Sequence, residues 1–346
     1  MTAVTARAPA KVNLQLAVGP ARAHGYHDVV TVYHAVSLFD EVTVSPADQD
    51  SLVVTGEGAD SVPADDTNLA ARAVAALLRA VGPGAKDSPG LAIRISKRIP
   101  VAAGLAGGSA DAAAALVACN ELWRTGLSQA ELCELAAGIG SDVAFGLVGG
   151  TAIGVGRGER VTPALAAGTY HWVLAFAAGG LSTAAVYAAC DRIRAARGGG
   201  DGSVSQGQAV AGGRAAPVKQ SGRAARAGRG GPAAPPSPLA PDNRLMAALR
   251  SGNPAEVAPL LTNDLQQAAI SLRPELRRTL AAGIEHGALA AIISGSGPTC
   301  AYLARDARHA AALAVALAGA GVCRTVVHVV GPVPGASVTS IATEPV

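Results

Sequence analysis

Residues 100–111 read Pro-Val-Ala-Ala-Gly-Leu-Ala-Gly-Gly-Ser-Ala-Asp and run directly into the alanine-rich stretch 112–118. Gly104, Gly107 and Gly108 tolerate the positive φ of a tight loop and remove side chains that would hold a ligand off the backbone. The helix that follows offers unpaired N–H groups and the positive end of its dipole, a ready site for phosphate. A plainer reading fits the same residues: an ordinary turn with Ser109 as helix N-cap. Two familiar phosphate motifs do not fit. The chain has no G-x-x-x-x-G-K-[ST], and Ala106 breaks a G-x-G-x-x-G match. The loop is therefore a different kind of anion cradle or no cradle at all.

The rest of the chain narrows the choice. Its 346 residues allow one large or two medium domains, with ample apolar content for a core. A net charge of +3 demands neither a nucleic-acid nor a membrane partner. Five scattered cysteines without a C-x-x-C spacing argue against zinc and against a disulfide framework, and so for a reduced, cytoplasmic setting. Lys11, Asn13 and Gln15 interrupt what would be the apolar core of a signal peptide, and apolar runs such as 310–322 are too short to span a bilayer.

Alternating apolar and polar residues predict strands over 12–18, 31–38, 41–45, 51–55 and 91–97. Helices are expected over 68–80, capped by Thr67 or Asp66, over 110–123, and over 128–137, which opens with a capping box. Residues 144–155 read as a buried, glycine-punctuated strand pair. In the second half, strands are expected at 171–176, 290–294, 299–303 and 325–330, the last closing the fold. Helices are expected at 183–197, 243–250, 256–270, 274–286 and 307–319. The pattern is α+β, in two domains over 1–165 and 166–346. Residues 196–241 collapse into Gly, Ala, Pro, Ser and Gln with scattered Arg and Lys, a composition that reads as a disordered, solvated insertion.

Three further segments carry chemistry. Pro9-Ala10-Lys11-Val12-Asn13-Leu14 sets a lysine and an asparagine on one strand face; the alternative is an exposed edge lysine. Gly140-Ser141-Asp142-Val143 places an acid among small and apolar residues, either a helix N-cap or a catalytic carboxylate. Ser294-Gly295-Ser296-Gly297-Pro298-Thr299 is a second Gly/Ser loop, weak alone. In this order, the lysine-bearing first strand, the Pro100–Ser109 loop entering a helix and the late glycine loop resemble the GHMP kinases over nearly the whole chain apart from the insertion. His24-Gly25-Tyr26-His27-Asp28, the loop, Gly140-Ser141-Asp142-Val143 and Asn263-Asp264-Leu265 resemble one branch. That branch phosphorylates the C2 hydroxyl of a cytidine-diphosphate-tagged methylerythritol on the non-mevalonate route to isoprenoid precursors.

The resemblance implies a two-domain α+β kinase with its active site in the cleft between domains. Asp142 is then the base and Lys11 its partner. Pro100, Ala103, Gly104, Leu105, Ala106, Gly107, Gly108 and Ser109 cradle the phosphates of ATP, with Mg²⁺ carried on those phosphates near Ser109. Tyr26 and Tyr187 sandwich the cytosine, His27 hydrogen-bonds it, Asn13 meets the polyol hydroxyls, and Thr183 borders the same cleft. The partner expected is this small molecule, for a protein acting as monomer or homodimer. Against the family pattern, alanine stands at 102, 103, 106 and 110, where glycine or serine is common, and Ala144 replaces a proline. A methyl is tolerable in the loop wherever φ stays negative. Homoserine- or mevalonate-type kinases, a decarboxylase-like lyase and a non-catalytic member are the alternatives. Tyr26-His27 argues against the first two, whose substrates offer no base to stack, and the presence of both Lys11 and Asp142 argues against the last.

Overall fold

The computed structural model describes residues 2–22, 25–82, 84, 88–198, 210–211 and 239–343. Most of the expected insertion at 196–241 lies outside the described residues.

Two long strands organise the first half, β1 (Thr2–Ala21) and β2 (His27–Ala47). On β1 the even-numbered residues from Val4 to Val18 are apolar and buried, while Lys11, Asn13 and Gln15 share the opposite face. β2 joins the two stretches expected at 31–38 and 41–45. A bulge causes the apparent break: Ala10 pairs with Val36 but Pro9 with Phe39, leaving Ser37 and Leu38 as extra residues that upset the alternation. β3 (Ser51–Gly56), α1 (Leu69–Val81) and β4 (Gly90–Lys97) follow. The cap of α1 is Asn68, not Thr67 or Asp66; its Oδ1 accepts from the N–H of Ala70 at 2.8 Å, while Thr67 is tied to Asp65.

α2 (Gly107–Leu122) lies in the core, its alanines at 110, 112–115 and 118 buried, so the helix backbone comes close to β1 and β2. α3 (Gln129–Ala137) has the expected capping box. Residues 143–156 are not a strand pair: α4 (Val143–Val148) precedes β5 (Thr151–Gly156) and β6 (Arg160–Pro163). A six-residue apolar run satisfies either structure, and here Phe145 stacks on Tyr33 of β2 with ring centroids 4.6 Å apart.

In the second half β7 (Tyr170–Phe176) precedes α5 (Thr183–Gly198), the short β8 (Val210–Ala211) and α6 (Asn243–Ser251). The single helix expected over 256–270 is broken into α7 (Pro254–Val257), a 3₁₀ turn containing Pro259, β9 (Thr262–Asn263) and α8 (Gln266–Leu272). Proline and a parallel pairing of β9 with β1 interrupt it. α9 (Glu275–Glu285), β10 (Ala290–Ile293), β11 (Cys300–Ala304), α10 (Ala307–Gly319) and β12 (Thr325–Gly331) complete a five-stranded sheet ordered β12-β7-β11-β10-β8. β12 is not the closing strand. β13 (Ser337–Thr343) returns to the first sheet and pairs antiparallel with β1, giving the order β13-β1-β2-β4-β3 with β5, β6 and β9 attached. Among the described residues no helix is long and apolar enough to cross a membrane, and all five cysteines are free.

Candidate active site

A cleft of about 890 Å³ opens between the glycine loop, the cleft face of β1, α5 and the 294–299 loop. Every residue given a catalytic, phosphate or substrate role from the sequence lines it except Leu105, whose side chain is fully buried in the core and whose carbonyl accepts the N–H of Lys11 at 3.2 Å.

At the centre Lys11 is 5% exposed, which rules out the edge-strand alternative. Its Nζ donates to Asn13 Oδ1 at 2.6 Å and stands 3.7 Å from Asp142 Oδ2. Asn13 in turn donates to Thr31 Oγ1 at 2.7 Å. Burial lowers the Lys11 pKa, opposed by the charge of Asp142 and its hydrogen bond. Asp142 occupies the N-cap position of α4, yet its side chain makes no capping hydrogen bond. Its carboxylate is directed to the cleft, where Oδ1 accepts from the hydroxyl of Tyr33 at 2.7 Å. Burial first, then Asp142, raises the Tyr33 pKa well above the usual phenol value, so it stays a donor.

The glycine loop is laced to the second half of the chain. The N–H of Leu181 reaches Ala102 O, that of Thr299 reaches Ala103 O, and Ser294 Oγ donates to Gly104 O at 3.0 Å. Gly104, at φ 77°, cannot carry a side chain, since a Cβ there would lie 2.1 Å from Ser294 O. Asn263 holds the second loop through Nδ2 bonds of 2.7 Å to Ile293 O and Gly295 O. Ala102 and Ala106 adopt φ of 51° and 61°, so the condition of negative φ, under which a methyl is readily tolerated, is not met at these two positions. Ala106 is also the N-cap of α2 and offers no side-chain cap, leaving the first-turn N–H groups to an anion. Ser109 is in that first turn, not at the cap.

Behind the loop Lys97 donates to Asp40 Oδ2 and to Asp111 Oδ2, all three buried, with the second contact at 2.6 Å. Asp40 Oδ1 accepts from the N–H groups of Arg98 and Ile99 at 2.6 and 2.8 Å. This cluster ties α2, just past its first turn, to β2 and β4. Burial pushes the Asp111 carboxyl up to about 7, with Lys97 opposing and Asp40 reinforcing the shift. Asn68, Leu69 and Lys97 line the cleft on this side.

At the far end, His27 Nε2 lies 2.9 Å from Asp191 Oδ1, and the His27 ring is 4.9 Å from that of Tyr187. Thr183, Tyr187 and Asp191 stand four residues apart on α5 and all face the cleft. Thr183 Oγ1 is 3.1 Å from Ser296 Oγ. Tyr26 is 57% exposed at the rim, with the Arg157 guanidinium 5.6 Å from its ring centre. Sequence reading missed Tyr33, Asp191, Arg157 and the Lys97 cluster. Of these only Asp191 left a local signal, the four-residue spacing from Tyr187.

Residues 68–152 match the GHMP kinases N terminal domain and residues 245–323 the GHMP kinases C terminal domain. A 4-diphosphocytidyl-2-C-methyl-D-erythritol kinase of Nocardia farcinica is 52% identical over 335 residues, covering 97% of this chain and 96% of that protein. The protein of that name from Mycobacterium tuberculosis is 49% identical over 341 residues, covering 99% and 94%. A crystal structure of 4-(cytidine 5'-diphospho)-2C-methyl-D-erythritol kinase superposes with a TM-score of 0.67 at 29% identity, covering 94% of this chain and 98% of that one. A homoserine kinase from Cytophaga hutchinsonii, at TM-score 0.66 and 18% identity over 97% of each chain, shares the fold. With half its residues identical over nearly the full length of such relatives, and with their fold, this chain belongs to the 4-diphosphocytidyl-2-C-methyl-D-erythritol kinase family of the GHMP kinases.

Proposed function

We propose that this ATP-dependent kinase phosphorylates the C2 hydroxyl of 4-diphosphocytidyl-2-C-methyl-D-erythritol, on the non-mevalonate route to isoprenoid precursors. The observation that carries the reading is a buried lysine beside a half-buried carboxylate, placed between an uncapped helix N-terminus and a slot of two tyrosines and a histidine. Phosphoryl transfer depends mainly on positioning and charge stabilisation, and each part has a place in that scheme. Asp142 takes the proton of the C2 hydroxyl, held in orientation by Tyr33. Lys11 offsets charge on the transferred group, and Asn13 orients the polyol. The N–H groups at the mouth of α2 hold the β- and γ-phosphates of ATP, with no side chain on Gly104 in the way.

The described residues contain no group of three His, Cys, Asp or Glu side chains able to cage a metal. The Ser109 hydroxyl at the helix mouth fits the role of a single protein neighbour to a phosphate-bound Mg²⁺ that keeps its waters. When bound, that ion spreads the negative charge of the phosphates. Tyr26 and Tyr187 stack the cytosine, worth about 1–3 kcal/mol by analogy with other base–aromatic contacts. His27, oriented by Asp191, meets the edge of the base. The protein works as a monomer or homodimer in the cytoplasm. Homoserine and mevalonate carry no base for the tyrosine slot, and a non-catalytic role leaves the Lys11–Asp142 pair without a purpose.

The test is ATP consumption with the cytidine-linked substrate, homoserine or mevalonate. Turnover with the first alone is expected, and turnover only with either of the others would sink the reading. Asp142→Asn should lower kcat by about 10²–10⁴-fold, the range for a general base, with nucleotide affinity nearly unchanged. A wild-type rate in that variant would remove Asp142 from the chemistry.

A further inference from the structure

We propose that Arg157 is the residue that grips the substrate's diphosphate, and so selects for a diphosphate-linked alcohol. The proposal rests on the function argued above, because it starts from the order of groups in the substrate: base, ribose, diphosphate, polyol. The two ends have places in the cleft, the base beside Tyr26 and Tyr187 and the reacting hydroxyl beside Asp142. The diphosphate must lie between them, and its charge needs a cation there.

Among the described residues three Lys or Arg side chains line the cleft, Lys11, Lys97 and Arg157. Lys97 is engaged by Asp40 and Asp111, and Lys11 is buried against Asn13 and Asp142. Arg157 is exposed and has no ion pair among the described residues; its head group lies over the ring of Tyr26. It stands at the tip of the β5–β6 hairpin between two glycines of positive φ, Gly156 at 80° and Gly158 at 106°. The turn is held by the Arg157 N–H, which donates to Glu159 Oε2 at 2.6 Å. A Cβ on Gly158 would fall 2.4 Å from the Tyr33 hydroxyl and 3.8 Å from Asp142 Oδ1. The backbone next to Arg157 thus abuts the reacting carboxylate while its side chain extends to the base slot. That span is the one the diphosphate must cross, and a planar guanidinium can bond two phosphate oxygens at once.

The experiment measures binding of cytidine and of CDP to wild type, Arg157→Ala and Arg157→Lys, together with steady-state kinetics. Loss of a charge-assisted contact should weaken CDP by about 10- to 100-fold in Arg157→Ala, with cytidine within about twofold. The lysine variant should recover part of the loss. The substrate KM should rise in step with the CDP effect, with ATP KM unmoved and kcat falling far less than kcat/KM. Equal losses for cytidine and CDP would reduce Arg157 to a support for Tyr26 and overturn the proposal, as would no loss at all or a loss confined to ATP. Failure of the functional reading shows separately, in wild-type protein that does not phosphorylate the substrate. CDP binding through Arg157 in such a protein would support the grip and overturn the reaction, and wild type that binds no CDP would overturn both.

Discussion

A lysine hidden from water is a poor cation unless something holds its charge in place. Lys11 has Asp142 for that purpose, yet burial outweighs it and the pKa falls below 10.5. The sign follows directly: as pH rises, Lys11 loses its proton earlier than an exposed lysine would. The alkaline limb of kcat/KM should therefore lie below pH 10.5, and Lys11→Arg, at a reduced rate, should move it upward. A limb at or above 10.5 in the wild type would mean that the charge on Lys11 is not what the reaction requires. Lys11 and Asp142 were legible in the sequence because each sits in a short motif whose order along the chain carries the resemblance. Tyr33 was not, since its hydroxyl meets Asp142 only through a strand register no local pattern states. Asn13 pairs with Tyr33 across β1 and β2, and Ala152 of β5 pairs with Tyr33 on the other side. Arg157 escaped notice for the same reason: an arginine between two glycines reads as a surface turn until the hairpin is placed against the cleft.

At the scale of the element, the glycine loop holds two alanines in the left-handed region, each at a cost of about 1–2 kcal/mol relative to an ordinary conformation. Ala106→Gly should relieve that cost at the mouth of α2, less the greater freedom glycine has in the unfolded chain. The expected result is a thermal midpoint unchanged or raised, a net gain of up to about 1 kcal/mol, with ATP KM no worse. A clear fall in the midpoint would show that the Ala106 methyl contributes packing that outweighs the strain. Elements with a strong period or cap were read correctly from sequence, α3 with its capping box and α10 among them. The failures came where the period was short or tertiary contacts overrode it. α4 is one and a half turns of apolar residues, too few to separate helix from strand. The segment between Pro254 and Leu272 has helical composition throughout, but β9 is drawn out of it to pair with β1, and Asn263 is committed to the 294–299 loop.

Across the whole molecule, the two sheets meet where β12 crosses β2. Gly331 packs there against the buried His34, and a Cβ on it would lie 2.5 Å from His34 Nε2 and 2.6 Å from Ala35 O. Burial lowers the His34 pKa to about 3, so the ring is neutral at this junction and donates or accepts a hydrogen bond with Thr151 at 2.9 Å. Gly331→Ala should cost about 1–3 kcal/mol through overpacking, seen as a lower urea midpoint with an unchanged slope. An unmoved midpoint would show that the sheets adjust freely to one another.

β1 also has a place in time. Among the strands of the described residues it is made before the others, and β13, its outer neighbour over residues 2–7, after them. A nascent chain stopped before residue 337 already contains Lys11, Asp142, the glycine loop and the tyrosine slot, but presents the start of β1 as an open sheet edge. Such an edge is a template for pairing with other chains, and closing it requires a contact across more than three hundred residues. The strand that carries Lys11 thus stays open at its start until residues 337–343 have been made, and until then its exposure to misassembly is set by the rate of translation.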